Sequence, residues 1–189
     1  MSRITAVDLS TLPEEQRAAL KQAEQFMGFM PNDALVMARN PVLMSAFGNL
    51  VAAIYAPGQV DAGLKRLIGL MSSVGAGCTY CMGHTAFASE RNGVEAEKLA
   101  EVWDFENSDQ FSDAERAALR VALHAGQTPS AVTDDMFAEL AGHFDDDAQM
   151  EIVSVIAMFG FLNRWNSTLA TELEALPGAA LQKLETSNG

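Results

Sequence analysis

The chain has few of the residues that mark several common protein classes. Its 189 residues include only two cysteines and two tyrosines, and 12 lysines and arginines stand against 25 aspartates and glutamates. With a net charge of −13, the chain repels phosphate backbones and anionic lipid headgroups. No apolar run reaches the roughly 18 residues that a membrane-spanning helix needs. We therefore expect neither nucleic acid nor membranes among its partners.

The N-terminus also lacks a recognisable export signal. Residues 1–8 contain no hydrophobic segment of the kind that secretion signals carry. This predicts a cytoplasmic location. Structural disulfides do not persist in that reducing compartment, so a close pair of cysteines there favours catalysis, redox sensing or metal binding.

Helical signals dominate the chain. Hydrophobic residues make up 49% of it, and they recur at helical spacing between capping residues, prolines and glycines. Capping-box patterns begin at Thr11 and Ser112. We predict an all-α protein of eight to ten helices and a single domain over residues 1–189. The clearest predicted helices span residues 11–28, 41–57, 61–77, 79–93, 112–126, 134–143 and 145–174.

The two cysteines form the motif Cys78-Thr79-Tyr80-Cys81 at the predicted start of a helix. Two intervening residues bring the sulfurs within reach of a disulfide, and the free N–H groups of a helix N-terminus stabilise a thiolate. Buried cysteines can also act simply as small hydrophobic residues. The spacing favours a chemical role, and we expect thiol–disulfide chemistry here.

His84 lies three residues after Cys81, on the same face of the predicted helix. Lowering a cysteine pKa from about 8.5 to about 6.5 raises the thiolate fraction roughly 25-fold, while the accompanying loss of nucleophilicity removes roughly tenfold. A proton donor for the leaving group contributes about 10²–10⁴-fold, so it matters more. We expect His84 to be that donor, and His124 and His143 to be structural.

Two metal-based alternatives use the same residues. Cys78, Cys81 and His84 could give three ligands to zinc, with water as the fourth, but no further convincing ligand lies nearby in sequence. A c-type haem site needs a histidine directly after the second cysteine, where Met82 stands. We therefore expect neither a metal nor another cofactor.

Two segments of the chain share a spacing pattern. Arg66 precedes the cysteine motif by twelve residues, and Glu151 precedes the tetrad Asn163–Asn166 by the same distance. Either two amphipathic helices agree by chance, or one helical unit occurs twice. In the second case the redox site lies in 61–95 and a second half-repeat spans about 133–175. The second tetrad has no nucleophile, so we expect it to be structural, with its tryptophan in the core or an interface.

Three stretches carry a likeness to known proteins. They are residues 77–85, which contain the string C-x-Y-C-x-x-H-T, residues 92–94 and residues 159–166. On these stretches the chain resembles the carboxymuconolactone decarboxylase and alkylhydroperoxidase D superfamily, over roughly residues 30–175. The resemblance implies an all-α fold of repeated helical hairpins that assembles as a homo-oligomer.

The resemblance also implies roles for individual residues. Members with a cysteine pair reduce alkyl hydroperoxides with the second cysteine, so Cys81 would form the sulfenic acid and Cys78 would condense with it. These peroxidases usually carry a relay glutamate twelve residues before the first cysteine, where Arg66 stands and cannot shuttle protons. Their relay histidine is usually four residues past the second cysteine, whereas His84 is three past. Glu151 is our candidate for the missing carboxylate.

Two functions are consistent with these residues. The first is a thiol-dependent alkyl hydroperoxide reductase that cycles Cys78 and Cys81 between dithiol and disulfide, with a dithiol reductant as partner. The alternative is a redox-responsive or scaffold protein of the same fold, which the missing relay glutamate favours. The resembling lactone decarboxylases lack the cysteine pair, so its presence here argues against that activity.

Overall fold

A computed structural model describes residues 2–186, and this part of the chain holds ten α-helices, two short 3₁₀ turns and no strand. The all-α prediction is confirmed. No helix in residues 2–186 is both long and apolar enough to cross a membrane. The helices are α1 (Glu14–Met27), α2 (Asn32–Met37), α3 (Pro41–Ile54), α4 (Ala62–Ala76), α5 (Thr79–Arg91), α6 (Ala96–Ala100), α7 (Asp113–Ala125), α8 (Asp134–His143), α9 (Asp146–Leu169) and α10 (Ala175–Thr186).

Helix α4 forms the centre of the molecule. Every residue from Gly63 to Ser73 is buried, and the helix packs against α5, α7 and α9. A helix that is enclosed on all sides needs apolar residues around its whole circumference, as α4 has over most of its length. Asp61 caps its N-terminus by accepting hydrogen bonds from the N–H groups of the second and third residues of α4, at 2.8 and 3.1 Å.

The C-terminal end of α4 is fixed by a close crossing with α7. A Cβ atom on Gly75 would overlap the backbone carbonyl of Leu123, and one on Gly126 would overlap the carbonyl of Ser72. The two helix backbones can therefore approach each other only because these positions lack side chains. This contact holds the chain in place directly before the cysteine motif.

Of the two capping boxes predicted from the sequence, one is present in the structure and the other is not. Ser112 begins α7 with the reciprocal capping box that the sequence predicts. The capping box predicted at Thr11 is wrong, because Thr11 belongs to a 3₁₀ turn (Leu9–Thr11) that Asp8 caps. Helix α1 instead begins at Glu14 behind Pro13, without a side-chain cap.

The last predicted helix, 145–174, ends five residues early, and a further helix that was not predicted follows it. Helix α9 ends at Leu169, followed by Ala170 in a left-handed conformation, and α10 continues beyond Pro177. Pro177 lies in the first turn of α10, where its missing N–H group breaks no helical hydrogen bond. Helices α2 and α6, with six and five residues, were also not predicted.

The two segments with shared spacing do not have the same local structure. The first, from Arg66 to Cys81, breaks between α4 and α5 at Gly77. The second, from Glu151 to Asn166, lies inside the continuous helix α9. The twelve-residue spacing therefore does not identify two equivalent copies of one helical unit.

Candidate active site

The cysteine pair lies at the junction of α4 and α5, as the sequence predicts. Gly77 ends α4 with a φ angle of +66°, and Cys78 is the N-cap residue of α5. The N–H group of Cys78 donates to the carbonyl of Ser73 at 3.0 Å, which holds the turn. Both cysteines are free thiols, and each is only 2% exposed. The site is therefore a buried dithiol at a helix N-terminus.

The pKa values of the two thiols are shifted in opposite directions. Interaction with the Cys81 thiol lowers the pKa of Cys78 to about 6. The backbone amides in the first turn of α5 act in the same direction, although the Cys78 side chain makes no cap hydrogen bond. The pKa of Cys81 is raised well above its ordinary value, because Cys81 shares its proton with Cys78 and is buried. The two thiols therefore titrate as one coupled pair, in which Cys78 is the member with the lowered pKa.

Helix α9 contributes two polar side chains to the surroundings of the thiols: Ser167, which interacts with Cys78, and Asn166. Asn166 is 2% exposed, and its Nδ2 atom lies 3.6 Å from the Sγ atom of Cys81 and 3.4 Å from Oδ2 of Asp33. Its amide oxygen is buried and has no hydrogen-bond partner in the structure. The prediction that the tetrad Asn163–Asn166 is purely structural is thus wrong for this residue.

Helix α2 and the start of α10 enclose the other side of α5. The Tyr80 hydroxyl donates to Oε1 of Glu174 at 2.9 Å and accepts the N–H group of Asp33 at 3.3 Å. The N–H group of Asn32 also donates to Oε1 of Glu174, at 2.5 Å. One carboxylate therefore links α2, α5 and the segment that leads into α10.

His84 is part of this carboxylate network. Its Nε2 atom lies 2.6 Å from Oε2 of Glu174, with both side chains almost fully buried, and the Tyr80 ring stacks on it at 4.2 Å. Among residues 2–186 no hydrogen bond joins His84 to either sulfur. The imidazole is thus coupled to the thiols only through its neighbours, whereas the sequence predicted direct contact.

The two carboxyl groups near the thiols have opposite pKa shifts. Burial raises the pKa of Asp33, against a smaller opposing effect of His84. Burial acts on Glu174 in the same direction, but the hydrogen bond and charge of His84 outweigh it, and the pKa of Glu174 is lowered. The pKa of the Tyr80 phenol is raised by burial and by both carboxyl groups. The site therefore combines a carboxyl group with a lowered pKa and one with a raised pKa.

The sequence and the fold of this chain are similar to those of known proteins. Residues 41–124 match the family model described as "Carboxymuconolactone decarboxylase family". The crystal structure of the debrominase Bmp8 has 36% sequence identity and a TM-score of 0.90, covering 96% of this chain and 97% of Bmp8. A cysteine-to-alanine variant of Bmp8 in complex with 2,3,4-tribromopyrrole has 35% identity and a TM-score of 0.91, covering 97% and 100% of the two chains.

This chain belongs to the carboxymuconolactone decarboxylase family. An AhpD-core peroxidase-related protein from Ralstonia eutropha JMP134 shares the fold, with 24% identity, a TM-score of 0.82 and coverage of 93% and 94%. The curated relative "Uncharacterized protein YnjA" of Escherichia coli (strain K12) is 36% identical over 100 residues. That match covers 52% of this chain and 54% of YnjA, so it spans about half of each protein.

Arg66, which stands where the resemblance leads us to expect a relay glutamate, packs against two aromatic rings. Its guanidinium group lies over the Tyr55 ring at 3.6 Å and near the Phe26 ring at 5.8 Å. Stacking on aromatic faces is a common way to hold an arginine at low exposure. The structure thus gives Arg66 a packing role between α1, α3 and α4.

Glu151, the predicted replacement for the relay glutamate, is not part of the thiol site. Its carboxylate accepts the N–H groups of Gln59 and Val60 and pairs with Nζ of Lys65 at 2.9 Å. It lies fifteen residues before Asn166 on α9, which is about 22 Å along a helix. Glu151 therefore holds the loop before α4, and the expectation of a relay role is corrected.

The zinc hypothesis requires ligand side chains that converge on one position. Across residues 2–186 no group of three or more histidine, cysteine, aspartate or glutamate side chains is arranged to hold a metal ion. Cys78, Cys81 and His84 do not converge, because the imidazole is turned toward Glu174.

Three residues of the site could not be found from the sequence. Asp33 and Glu174 lie 47 and 94 residues from Tyr80, and no local motif marks either one. Asn166 belongs to a tetrad that the sequence did single out, but its distance of 85 residues from Cys81 concealed the contact. Only the packing of α2, α9 and α10 around α5 brings them together.

Proposed function

We propose that this protein is a thiol-dependent reductase that passes two electrons from the Cys78–Cys81 dithiol to a small organic substrate. Alkyl hydroperoxides are the first substrate class. The observation that carries the proposal is geometric: two free thiols, each 2% exposed, lie together at the N-terminus of α5, where the pKa of Cys78 is lowered and that of Cys81 is raised. This is the state that a dithiol needs in order to attack an electrophile and then close a disulfide.

The proposed reaction balances as follows. The Cys78 thiolate attacks the terminal oxygen of the hydroperoxide, the O–O bond breaks, and the departing alkoxide takes the proton of Cys81 to become an alcohol. The new Cys81 thiolate attacks the Cys78 sulfenic acid, which forms the disulfide and expels hydroxide. Hydroxide takes a second proton to become water. The dithiol gives two electrons and one proton, and an acid of the site gives the other proton.

This order of attack reverses the one that the family resemblance implies. The family pattern assigns the attack to the second cysteine, but here Cys78 and burial raise the pKa of Cys81, and the amide of Asn166, which donates to its sulfur, opposes this only in part. Trapping with a dimedone-type reagent after one equivalent of hydroperoxide distinguishes the two orders. We expect label on Cys78 in Cys81→Ser and none on Cys81 in Cys78→Ser; the reverse pattern would restore Cys81 as the attacking residue.

His84 and Glu174 are proposed to exchange protons between the site and solvent. Nε2 of His84 lies 2.6 Å from Oε2 of Glu174, a contact along which a proton can pass between the two side chains. The pair contacts Tyr80, and through it Asp33, so it lies one contact further from the sulfurs than the sequence predicted. An external dithiol then reduces the Cys78–Cys81 disulfide by thiol–disulfide exchange.

Reductive removal of bromide is a second candidate. The observation that favours it is the 35–36% identity to the debrominase Bmp8 across nearly the whole of both chains. Replacing a C–Br bond by C–H consumes two electrons and one proton and releases bromide. The same dithiol can supply those electrons while it becomes a disulfide, so the site chemistry suits either acceptor.

A turnover assay tests the proposal. We expect the purified protein to reduce cumene hydroperoxide with dithiothreitol as electron source, and Cys78→Ser and Cys81→Ser each to abolish turnover. Bromide release from 2,3,4-tribromopyrrole in a parallel assay measures the second candidate. Faster bromide release than hydroperoxide reduction would make debromination the main activity. Failure with both acceptors, although the thiols titrate normally, would leave the redox-responsive alternative.

A further inference from the structure

The sulfur of Cys81 has a hydrogen-bond donor on another helix. Nδ2 of Asn166, on α9, lies 3.6 Å from Sγ of Cys81 and 3.4 Å from Oδ2 of Asp33. A carboxamide nitrogen carries two N–H bonds, so it can serve both groups as a donor. Such a donor stabilises a thiolate more than a thiol, because the hydrogen bond strengthens when its acceptor is charged. Asn166 is therefore placed to stabilise a negative charge on Cys81.

The end of helix α9 holds Asn166 in this position. Its side chain is 2% exposed, and its backbone carbonyl accepts the N–H groups of Ala170 and Thr171, where α9 ends. One turn earlier Asn163 is also buried, and its Nδ2 atom lies 3.4 Å from the carbonyl oxygen of Ser72 on α4. Two buried amides thus join α9 to the helices beneath it, one at a backbone carbonyl and the other at a sulfur.

Cys81 carries a negative charge at one point of the proposed reaction, between the loss of its proton to the alkoxide and its attack on Cys78. The hydrogen bond and the charge of Cys78 both raise the pKa of Cys81, but neither acts once Cys78 is a neutral sulfenic acid. Burial and the charge of Asp33 still raise this pKa, whereas the hydrogen bond from Asn166 lowers it. The Asn166 contact therefore matters most when the disulfide closes.

We infer that Asn166 is a catalytic residue of disulfide closure: its N–H group stabilises the Cys81 thiolate that attacks the Cys78 sulfenic acid. The inference rests on the proposed reductase function. In this step the electron pair of the Cys81 thiolate forms the S–S bond. The S–O bond of Cys78 breaks, and its electron pair leaves with hydroxide, which is protonated as in the reaction above.

Methyl methanethiosulfonate isolates the closing step. The Cys78 thiolate takes a methylthio group from the reagent and expels methanesulfinate. The Cys81 thiolate then closes the disulfide and expels methanethiolate. Asn166→Leu removes the donor at a similar volume, so the first reaction should keep the wild-type rate. Release of methanethiol should slow by about 3- to 10-fold, since the thiolate becomes rarer but more nucleophilic. Asn166→Gln, which keeps an amide, should restore part of the rate.

Asn163→Leu is the matched control. Asn163 and Asn166 lie on the same helix, both are buried, and the amide oxygen of each has no hydrogen-bond partner. Loss of the amide at 163 should therefore disturb the fold to a similar degree but leave closure at the wild-type rate. Equal slowing in the two variants would show a structural role and overturn the inference. If the leucine variants do not fold, Asn166→Ala and Asn163→Ala give the same comparison.

The ultraviolet absorbance of the thiolate gives a second readout that needs no turnover. In Cys78→Ser, Cys81 is the only cysteine left, and its pKa should rise when Asn166→Leu is added. An unchanged pKa, or closure at the wild-type rate in Asn166→Leu, would overturn the inference. A wild-type protein that closes the disulfide with methyl methanethiosulfonate but not with cumene hydroperoxide would refute hydroperoxide reduction, while the comparison of Asn166 with Asn163 would still decide the role of Asn166.

Discussion

Cys78 and Cys81 lie one helical turn apart, yet the pKa of Cys78 is lowered and that of Cys81 is raised. The S–H group of Cys81 is the largest cause of the low pKa of Cys78. Removing this donor should therefore raise the pKa of Cys78. A serine at position 81 keeps a donor of similar position, whereas an alanine does not.

The first prediction uses that contrast. The pKa of Cys78, measured from the pH dependence of its alkylation by iodoacetamide, should be about 6 in the wild type. It should rise clearly in Cys81→Ala and less in Cys81→Ser. Below the pKa the alkylation rate should fall about tenfold per pH unit as the thiolate is lost. Equal pKa values in all three proteins would show that the amides of α5, and not Cys81, stabilise the thiolate.

The second prediction concerns Glu174, whose folded-state pKa is lowered mainly because His84 outweighs the effect of burial. A carboxyl group with a lowered pKa stabilises the fold above its unfolded pKa, and this contribution disappears as the pH falls through the folded pKa. Glu174→Gln should therefore lower the free energy of unfolding at pH 7 by about 2 kcal/mol.

Denaturant titrations at several pH values measure this effect. The difference between wild type and Glu174→Gln should shrink as the pH falls below about 4.5, where the unfolded carboxyl group protonates. Glu185→Gln, which changes an exposed glutamate on α10, is the matched control and should leave stability unchanged. A difference that stays constant from pH 7 to pH 3 would rule out the ion pair as its source.

Sequence proximity decided which site residues could be predicted. Cys78, Cys81 and His84 lie within seven residues, so the spacing of one helix was enough to place them on α5. The contact between His84 and Glu174 spans 90 residues, and no local pattern reports it. For the same reason the sequence could not show that Glu174 would orient the imidazole away from Cys81.

At the scale of elements, the turn between α4 and α5 positions the thiols. Gly77 has a φ angle of +66°, which residues other than glycine rarely adopt. A Cβ atom there would meet no other atom within 4 Å, so the backbone conformation is the only obstacle to substitution. The predicted cost of a side chain at this position is therefore purely conformational.

The third prediction compares two glycine substitutions. Gly77→Ala should reduce the free energy of unfolding by about 1 kcal/mol and disturb the Cys78 pKa, because it strains the N-cap turn. Gly48→Ala, in the exposed interior of α3 with nothing within 4 Å, should instead raise stability by about 0.5–1 kcal/mol. Thermal or urea unfolding measures both, and a neutral Gly77→Ala would mean that the turn relaxes without strain.

Helix boundaries were predictable where a side chain caps the backbone directly. Ser112 and Asp61 each accept hydrogen bonds from the first turn that follows, so their sequence signals predict true starts. Helix α10 was not predicted, because a proline such as Pro177 is compatible both with the end of one helix and with the first turn of the next. Tertiary packing of α10 on α5 decides between these possibilities.

At the scale of the whole molecule, apolar residues remain exposed on two neighbouring helices. They are Val42 and Leu50 on α3, and Met150, Val153 and Phe161 on α9. Phe47 of α3 stacks on Phe161 of α9 at 5.3 Å, which joins the two faces. Phe161 also lines a groove of about 780 Å³, whose other lining residues include the apolar Trp165 and Ile156 and the polar Arg164 and Thr168. Contiguous exposed apolar surface of this kind marks interaction sites.

The fourth prediction is that this surface joins copies of the chain. Light scattering should give a mass above the 20.3 kDa of a single chain. Phe161→Glu should lower that mass, because it puts a charge into the shared surface. Phe137→Glu is the matched control, since Phe137 is equally exposed but lies on α8. A mass near 20.3 kDa for the wild type would contradict the prediction.

The central claim is that Cys78 and Cys81 are a redox couple that reduces hydroperoxides. Peptide mass spectrometry of the reduced wild-type protein, before and after one equivalent of cumene hydroperoxide, tests it most directly. The account predicts that the peptide with both cysteines loses the mass of two hydrogen atoms, with one equivalent of alcohol formed. The account is contradicted if both thiols stay free while hydroperoxide persists, or if oxidation occurs at methionines instead.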